Sequence, residues 1–277
     1  MGYVGGIGMI WIPGILSQGG IRLPPKGKTL NDYTWEEIRL ISDAGKASEY
    51  FSVGDRKAVA LNGTAGSLSL NGTYYCYIIG IDHNSAKEGT NRIHFQFGYT
   101  AASGGIHIAF IDRGYSRYYS SGSHFNMNNA TSNSGGWENS RMRTTIIPTF
   151  KSCLPSDLQA VLKTVTKYSD NTGGDFNDAS YVTATTDDIF LLSEFEVLGT
   201  IRYANSAEKN YQAQYAYYSA GNPKKRYRHS YTGSAAFWWL RSVYANSTGT
   251  FCYINANEGV SRTDADRSYG FAPAFCV

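Results

Sequence analysis

The chain reads as an α+β protein of short antiparallel strands, two to three helices and long loops, and three observations carry that reading. Asn71-Gly72, the strongest short-range hairpin signal, stands just before the apolar run Thr73-Tyr74-Tyr75-Cys76-Tyr77-Ile78-Ile79. Thr34-Trp35-Glu36-Glu37 spells a capping box, with the Thr34 hydroxyl accepting from the Glu37 amide and the Glu37 carboxylate reaching back. Thirty glycines and 22 tyrosines against only 17% charged residues give a surface of small polar groups and tyrosine, while 42% hydrophobic residues suffice for a sizeable core.

In chain order, residues 1–29 form an apolar, Gly-rich segment without an early positive side chain and interrupted by Pro13. That pattern fits neither a signal peptide nor a membrane span, so the segment is expected to dock onto another subunit. Residues 22–28, with Pro24-Pro25, read as a basic polyproline-like linker. A helix starts at Trp35 and ends near Gly45, with Trp35, Ile38, Leu40 and Ile41 on its apolar face. Strands are expected at 56–61, 66–70, 74–81 and 91–99, with the Asn71-Gly72 turn before the third. Residues 113–136 form a Ser/Tyr/Asn/Gly-rich loop long enough to suggest a function. Helices follow at 137–147 and 156–167, then a short buried strand at 188–192, the segment 194–198, partial helix within 203–218, and closing strands at 251–256 and 270–277. With no fixed-period repeat, one domain spans 30–277.

Catalytic signatures are sparse. GxSxG, GxxxxGK[ST], HExxH and a strand-following GxGxxG are missing. His94 and His107 sit in apolar runs, alongside His83, His124 and His229, and packed histidines are the expectation. Asp82-His83-Asn84 is read as a turn capped by side-chain hydrogen bonds rather than a metal ligand set. Glu194-Phe195-Glu196 places two carboxylates on one strand face, with pairing to arginine or capping favoured over acid–base work. Cys76, Cys153, Cys252 and Cys276 lack CxxC spacing and read as buried thiols, with a Cys252–Cys276 disulfide left open. The basic run Lys224-Lys225-Arg226-Tyr227-Arg228-His229 reads as a solvated loop, and a net charge of +3 is too small for nucleic acid. No catalytic residue, cofactor, metal or nucleic-acid partner is expected.

The tail holds most of the information. Ala236-Phe237-Trp238-Trp239-Leu240-Arg241-Ser242 and Gly270-Phe271-Ala272-Pro273-Ala274-Phe275-Cys276-Val277 bracket a stretch of small polar residues and tyrosines. Apolar scaffold on both sides of an adaptable Tyr/Asn/Ser surface is the composition of a binding face. The candidate ligand-binding residues are Val243, Tyr244, Asn246, Ser247, Thr250, Tyr253, Asn255, Asn257, Ser261, Thr263, Asp264, Asp266, Arg267, Ser268 and Tyr269, with Phe251 expected to face inward and Tyr253 a candidate for burial beside it.

Those two blocks resemble the variable proteins of diversity-generating retroelements, phage and bacterial receptor-binding proteins with a C-type lectin fold of the formylglycine-generating-enzyme type. Segments 31–54, 137–168 and 188–203 look similar as well, and Phe271-Ala272 stands where the family often has Val-Arg. The resemblance implies a rigid frame around a variable region at about 236–277, diversified at Asn-type codons that cannot become Lys, Glu, Gln, Met or Trp. From Val243 to Val277 those five types occur once, as Glu258, against 33 times in the preceding 242 residues. What it implies is a non-enzymatic virion-surface adhesin, on a tail fibre or as a capsid decoration. Such a protein binds a host-surface protein or glycan, docks to virion proteins through its N-terminal segment, and assembles as a homo-oligomer, a trimer being favoured. The rivals are a structural decoration protein and a bacterial surface or secreted binder. Replacing Tyr244, Asn255 and Tyr269 together by Ala is expected to abolish attachment and leave thermal stability unchanged.

Overall fold

The computed structural model describes Leu16–Ser17 and residues 20–277. Most of the expected docking segment (1–15, 18 and 19) lies outside the described residues, and its end is a short antiparallel pair, β1 (Leu16–Ser17) with β2 (Gly20–Ile21). The expected linker is tied down: the Tyr33 and Tyr50 hydroxyls donate to the carbonyls of Pro25 and Pro24 at 2.7 and 2.8 Å. Helix α1 (Trp35–Asp43) forms with both halves of the Thr34–Glu37 capping box, buries Trp35, Ile38 and Ile41, and is followed by α2 (Ala47–Tyr50).

A hairpin then joins β3 (Arg56–Ala65) to β4 (Leu68–Ile81). Its turn is Gly66-Ser67, not Asn71-Gly72, which sits inside β4 with Asn71 paired to Asn62 and Gly72 to Leu61. Gly66 has φ +57° at the first central position of this two-residue loop, the place where a II′ turn calls for glycine. The expected break between strands at 66–70 and 74–81 is therefore absent, because ten cross-strand pairs fix a register that local turn chemistry does not override. After α3 (Ser85–Glu88) comes β5 (Ile93–Tyr99), buried at all seven positions, and β6 (Ile108–Ala109).

Two helix expectations shift. In the second, residues 134–139 form a turn, and a π-helical stretch at Met142–Ile146 leads into α4 (Ile147–Lys151). In the third, α5 (Ser156–Val161) stops early, and Val165 starts strand β7 (Val165–Asp170), which pairs in full with β8 (Val182–Asp187). Next follow β9 (Ile189–Phe190) and α6 (Glu194–Leu198), so Glu194 and Glu196 lie on a helix and not on a strand. The signal was the Ser193-x-x-Glu196 capping box. Helical turns at Ser206–Asn210 and α7 (Ala216–Ser219) match the partial helix expected there.

The last segment supplies β10 (Arg226–Arg228), β11 (Tyr231–Ala236), β12 (Trp238–Val243), β13 (Thr250–Ile254), β14 (Val260–Asp264) and β15 (Ala274–Cys276). The result is a mixed α+β architecture dominated by strands, with a curled antiparallel sheet ordered β3-β4-β5-β15-β9. The final strand thus closes the sheet between early strand β5 and β9. One apolar cluster runs from Leu30 to Val277, with Trp35 edge-on to Phe95 and Phe95 stacked on Phe275 at 5.2 Å. Two further sheets, β11-β10-β6 and β12-β13-β14, carry the region of interest.

The basic run 224–229 is not a solvated loop. Arg226–Arg228 is a strand parallel to β6, and Arg226 is fully buried, donating to the carbonyls of Phe97 and Ile108 and to the Tyr77 hydroxyl. Gly98 is needed for this, since a Cβ there would lie 2.1 Å from the Arg226 guanidinium.

Candidate functional site

The Trp-Trp-Leu-Arg-Ser block forms the first strand of β12-β13-β14, on the sheet's edge beside β13, and its side chains are fully buried. Trp238 and Trp239 pair with Ile254 and Tyr253, and their indole N–H groups donate to the carbonyls of Lys224 (3.0 Å) and Phe125 (2.8 Å). Arg241 grips both carboxylate oxygens of Glu196 and donates to the Ser169 hydroxyl at 2.7 Å and the Leu191 carbonyl at 2.8 Å. Lys167 bridges Glu196 (3.0 Å) and Glu88 (2.7 Å), also without solvent exposure. Burial alone would raise the Glu196 carboxyl, but Arg241 and Lys167 outweigh it and hold it well below the usual carboxylate range.

The remaining acids serve the same frame. Glu194 accepts backbone N–H groups from Arg202, Tyr203 and Ala204, fixing that loop against the tail. Ser242 donates to Glu208 at 2.9 Å, and burial pushes the Glu208 carboxyl up to about 7. The capping and arginine-pairing roles expected of the Glu194-Phe195-Glu196 pair are both present.

Donor atoms of His83, Glu88 and Glu196 lie within 4.8 Å of one another, the one cluster of metal-ligand type among the described residues. Its negative charge is already met by the Lys167 ammonium and the Arg241 guanidinium. His83 stacks on Tyr215 at 3.7 Å, and burial pulls its imidazole down to about 3. The turn expected at 82–84 is present but its side chains do not cap it: Asp82 accepts from the Arg92 amide at 2.9 Å and Asn84 donates to the Tyr211 carbonyl at 2.8 Å, both distant in sequence. All four cysteines are buried free thiols, so Cys252 and Cys276 form no disulfide, and burial raises each thiol, Cys276 to about 11.

The fifteen tail residues do not form a single patch. Val243, Ser268 and Tyr269 are interior, so these three side chains leave the ligand-facing set. Ser268 donates to buried Asp112 at 3.0 Å, and Tyr269 packs against Trp239, Phe237 and Tyr253. Asn246 and Asn257 are exposed and the rest are half-buried. Strand alternation splits that remainder. Tyr253, Ser261 and Thr263 share one face with buried Phe251, as the pairs Tyr253–Ser261 and Phe251–Thr263 require. Thr250 and Asp264 lie on the other with Arg262, which stacks over Tyr203 and Tyr244 at 4.5 and 4.8 Å. Asn255 and Asn257 make the turn between β13 and β14.

The loop 113–136 is stitched along this tail. Backbone bonds join Ser116 and Arg117 to Ser268, Tyr119 to Asp266, Asn128 to Ala265 and Asn133 to Thr248. Asn133 also donates to the Ser247 and Thr250 carbonyls, and Thr131 to Asp266 at 3.1 Å. Ser247 and Asp266 are thus partly occupied by the molecule itself. The loop contributes Tyr115, whose hydroxyl accepts from the Phe237 amide at 2.7 Å and whose ring lies 5.9 Å from Tyr269. Half-buried Tyr115, Phe237 and Tyr253 make a continuous aromatic floor over Trp239 and Tyr269, edged by the Ser261 and Thr263 hydroxyls. Arg228 stacks on Tyr115 at 4.5 Å, and Arg267 lies over Tyr269 and Tyr118 at 5.4 and 5.0 Å. Tyr115, Phe237 and Arg228 were not among the residues expected from sequence. The interleaving of arginine and tyrosine in 113–119 and 226–228 is the signal that marks Tyr115 and Arg228.

Neither the curated proteins nor the solved structures contain a match to this chain. A family model described as a domain of unknown function (DUF6273) matches residues 111–277. That span takes in the loop 113–136, the buried frame apart from Glu88, and the whole aromatic floor, together with β9 and β15 but not the other three strands of the five-stranded sheet. The chain belongs to the DUF6273 family.

Proposed function

We propose that this protein is a non-enzymatic ligand-binding module of the adhesin type, with a C-type lectin-like fold whose C-terminal face contacts a receptor on a host surface. In this reading the face is diversified by a retroelement, the protein is displayed on a virion or a bacterial surface, and the ligand is a host protein or glycan. The observation that carries the proposal is the aromatic floor of Tyr115, Phe237 and Tyr253. Its rings are only half-buried, yet fully buried Trp239 and Tyr269 fix them from below. Rings held in place lose little entropy on binding, and the neighbouring Ser261 and Thr263 hydroxyls offer adaptable hydrogen bonds.

Chemistry of the enzyme type is less well supported. The thiols are interior and raised by burial, whereas nucleophilic or copper-binding thiolates need lowered values and access. No helix among the described residues is long and apolar enough to cross a membrane. The test is attachment to host cells by the Tyr253→Ala, Thr263→Ala double variant, with unfolding followed in parallel. Loss of attachment in a folded variant is expected; undiminished attachment would move the site away from this face.

A further inference from the structure

The arginines of the aromatic floor lack the carboxylate partner that buried Arg241 has. Arg228 and Arg267 form no salt bridge among the described residues, and neither do Arg113 and Arg117, both exposed on the adjoining loop. The Nε of Arg228 is buried and without a hydrogen-bond partner. A guanidinium offers five donors in a planar fork, and buried donors left unmade are costly. The two guanidinium groups flank the Tyr115–Tyr269 pair, one over each ring, with Tyr253 packed on Tyr269, and Arg267 also makes long contacts to the Ser116 and Tyr118 hydroxyls at 3.3 and 3.4 Å. Of the acids in this region, Asp266 accepts from Thr131 of the loop and Asp112 from Ser268.

We propose that the face recognises an acidic oligosaccharide, whose sugar ring lies on the Tyr253–Phe237 floor and whose carboxylate, sulfate or phosphate is held by Arg228 and Arg267. This deepens the reading above and rests on it. Arginine is the side chain suited to bidentate capture of such planar or tetrahedral anions. Aromatic rings take up the apolar face of a sugar, and serine and threonine match its hydroxyls. A net charge of only +3 and a floor a few rings wide favour a short charged glycan over a nucleic acid, which needs a long basic stripe.

The test uses the full chain on immobilised pairs that differ only in charge: oligogalacturonate with its methyl ester, sialyllactose with lactose, sulfated with unsulfated chondroitin, and polyglutamate as an acidic non-sugar. Binding to at least one acidic glycan should exceed its neutral partner by about tenfold or more. It should also weaken between about 50 and 500 mM salt, where screening shortens sharply. Arg228→Gln and Arg267→Gln should each reduce that binding about tenfold, with Arg228→Lys recovering part of it. Arg262→Gln is the control, since Arg262 also stacks on tyrosines without a salt bridge but lies on the opposite face of β14. Equal binding to charged and neutral partners, binding to none of the acidic glycans, or binding to polyglutamate as tight as to any sugar would overturn the proposal. If Tyr253→Ala abolishes host attachment while the Arg228 and Arg267 variants bind normally, the face stands and the acidic ligand falls. If acidic-glycan binding survives all of these variants, the face itself is the wrong site.

Discussion

Arginines occur in two settings in the C-terminal region, and the contrast separates frame from face. Arg241 is sealed from solvent and committed to Glu196, Ser169 and Leu191, within a network that Lys167 extends to Glu88. Arg228, Arg262 and Arg267 lie at the surface over tyrosine rings, with no carboxylate partner among the described residues. Within that network each charge faces an opposite one, and removing one member strands the others. Outside, the charges have no carboxylate partner among the described residues, Arg267 making only long contacts to Ser116 and Tyr118 at 3.3–3.4 Å, and removing one is expected to leave the fold nearly as it was. The same residue type thus does opposite work according to whether its partner is built in.

Breaking the inner network should give the largest effect. Glu196→Gln leaves Arg241 and Lys167 buried without their shared counter-charge and should cost about 3–5 kcal/mol, read by urea unfolding. Trp239→Ala and Tyr269→Ala follow, each expected to cost about 3–5 kcal/mol because they open cavities beneath the floor. Because Tyr269 is buried, the triple substitution of Tyr244, Asn255 and Tyr269 is expected to lower stability, where the sequence alone led to the expectation of no change. Its loss of attachment would not separate binding from folding, which is why Tyr253 and Thr263 are the better probes.

A pH measurement sharpens the boundary between the two regions at His229, which accepts from the Ile111 amide at 3.1 Å beside the Arg228 position. Burial lowers its imidazole from 6.5 to about 4, so the fold holds it neutral. Its contribution to stability is complete above pH 6.5 and is lost as pH falls from there toward 4. His229→Gln should flatten the stability–pH curve in that window by up to about 1.4 kcal/mol per pH unit, read from denaturant unfolding at several pH values. The smallest stability effect belongs to the face: Ser261→Ala should change unfolding by no more than about 0.5 kcal/mol while reducing ligand binding.

Local signals in the sequence were legible where the local chemistry decides. The Thr34 capping box sets α1, and the apolar runs at β4 and β5 are strands. Signals failed where a distant partner decides. Asn71-Gly72 is a turn in isolation, but opposite Asn62 and Leu61 it is ordinary strand. The apolar spacing that extended α5 to residue 167 came from Val165, which alternates in and out along β7 against β8. Of the candidate site, the bracketing blocks and the polar insert were readable. The burial of Tyr269 and Ser268 was not, because the covering loop 113–136 lies more than a hundred residues away in sequence. Tyr115 and Arg228 complete the floor from two further segments that no tail motif could name.

Amide hydrogen exchange with and without bound receptor tests the central claim most directly. The account predicts ligand-dependent slowing confined to the segments around Tyr115–Tyr118, Phe237 and β13–β14, with β12 slow in both states. Protection appearing instead over β3–β5, with the segment 250–269 unchanged, would contradict it.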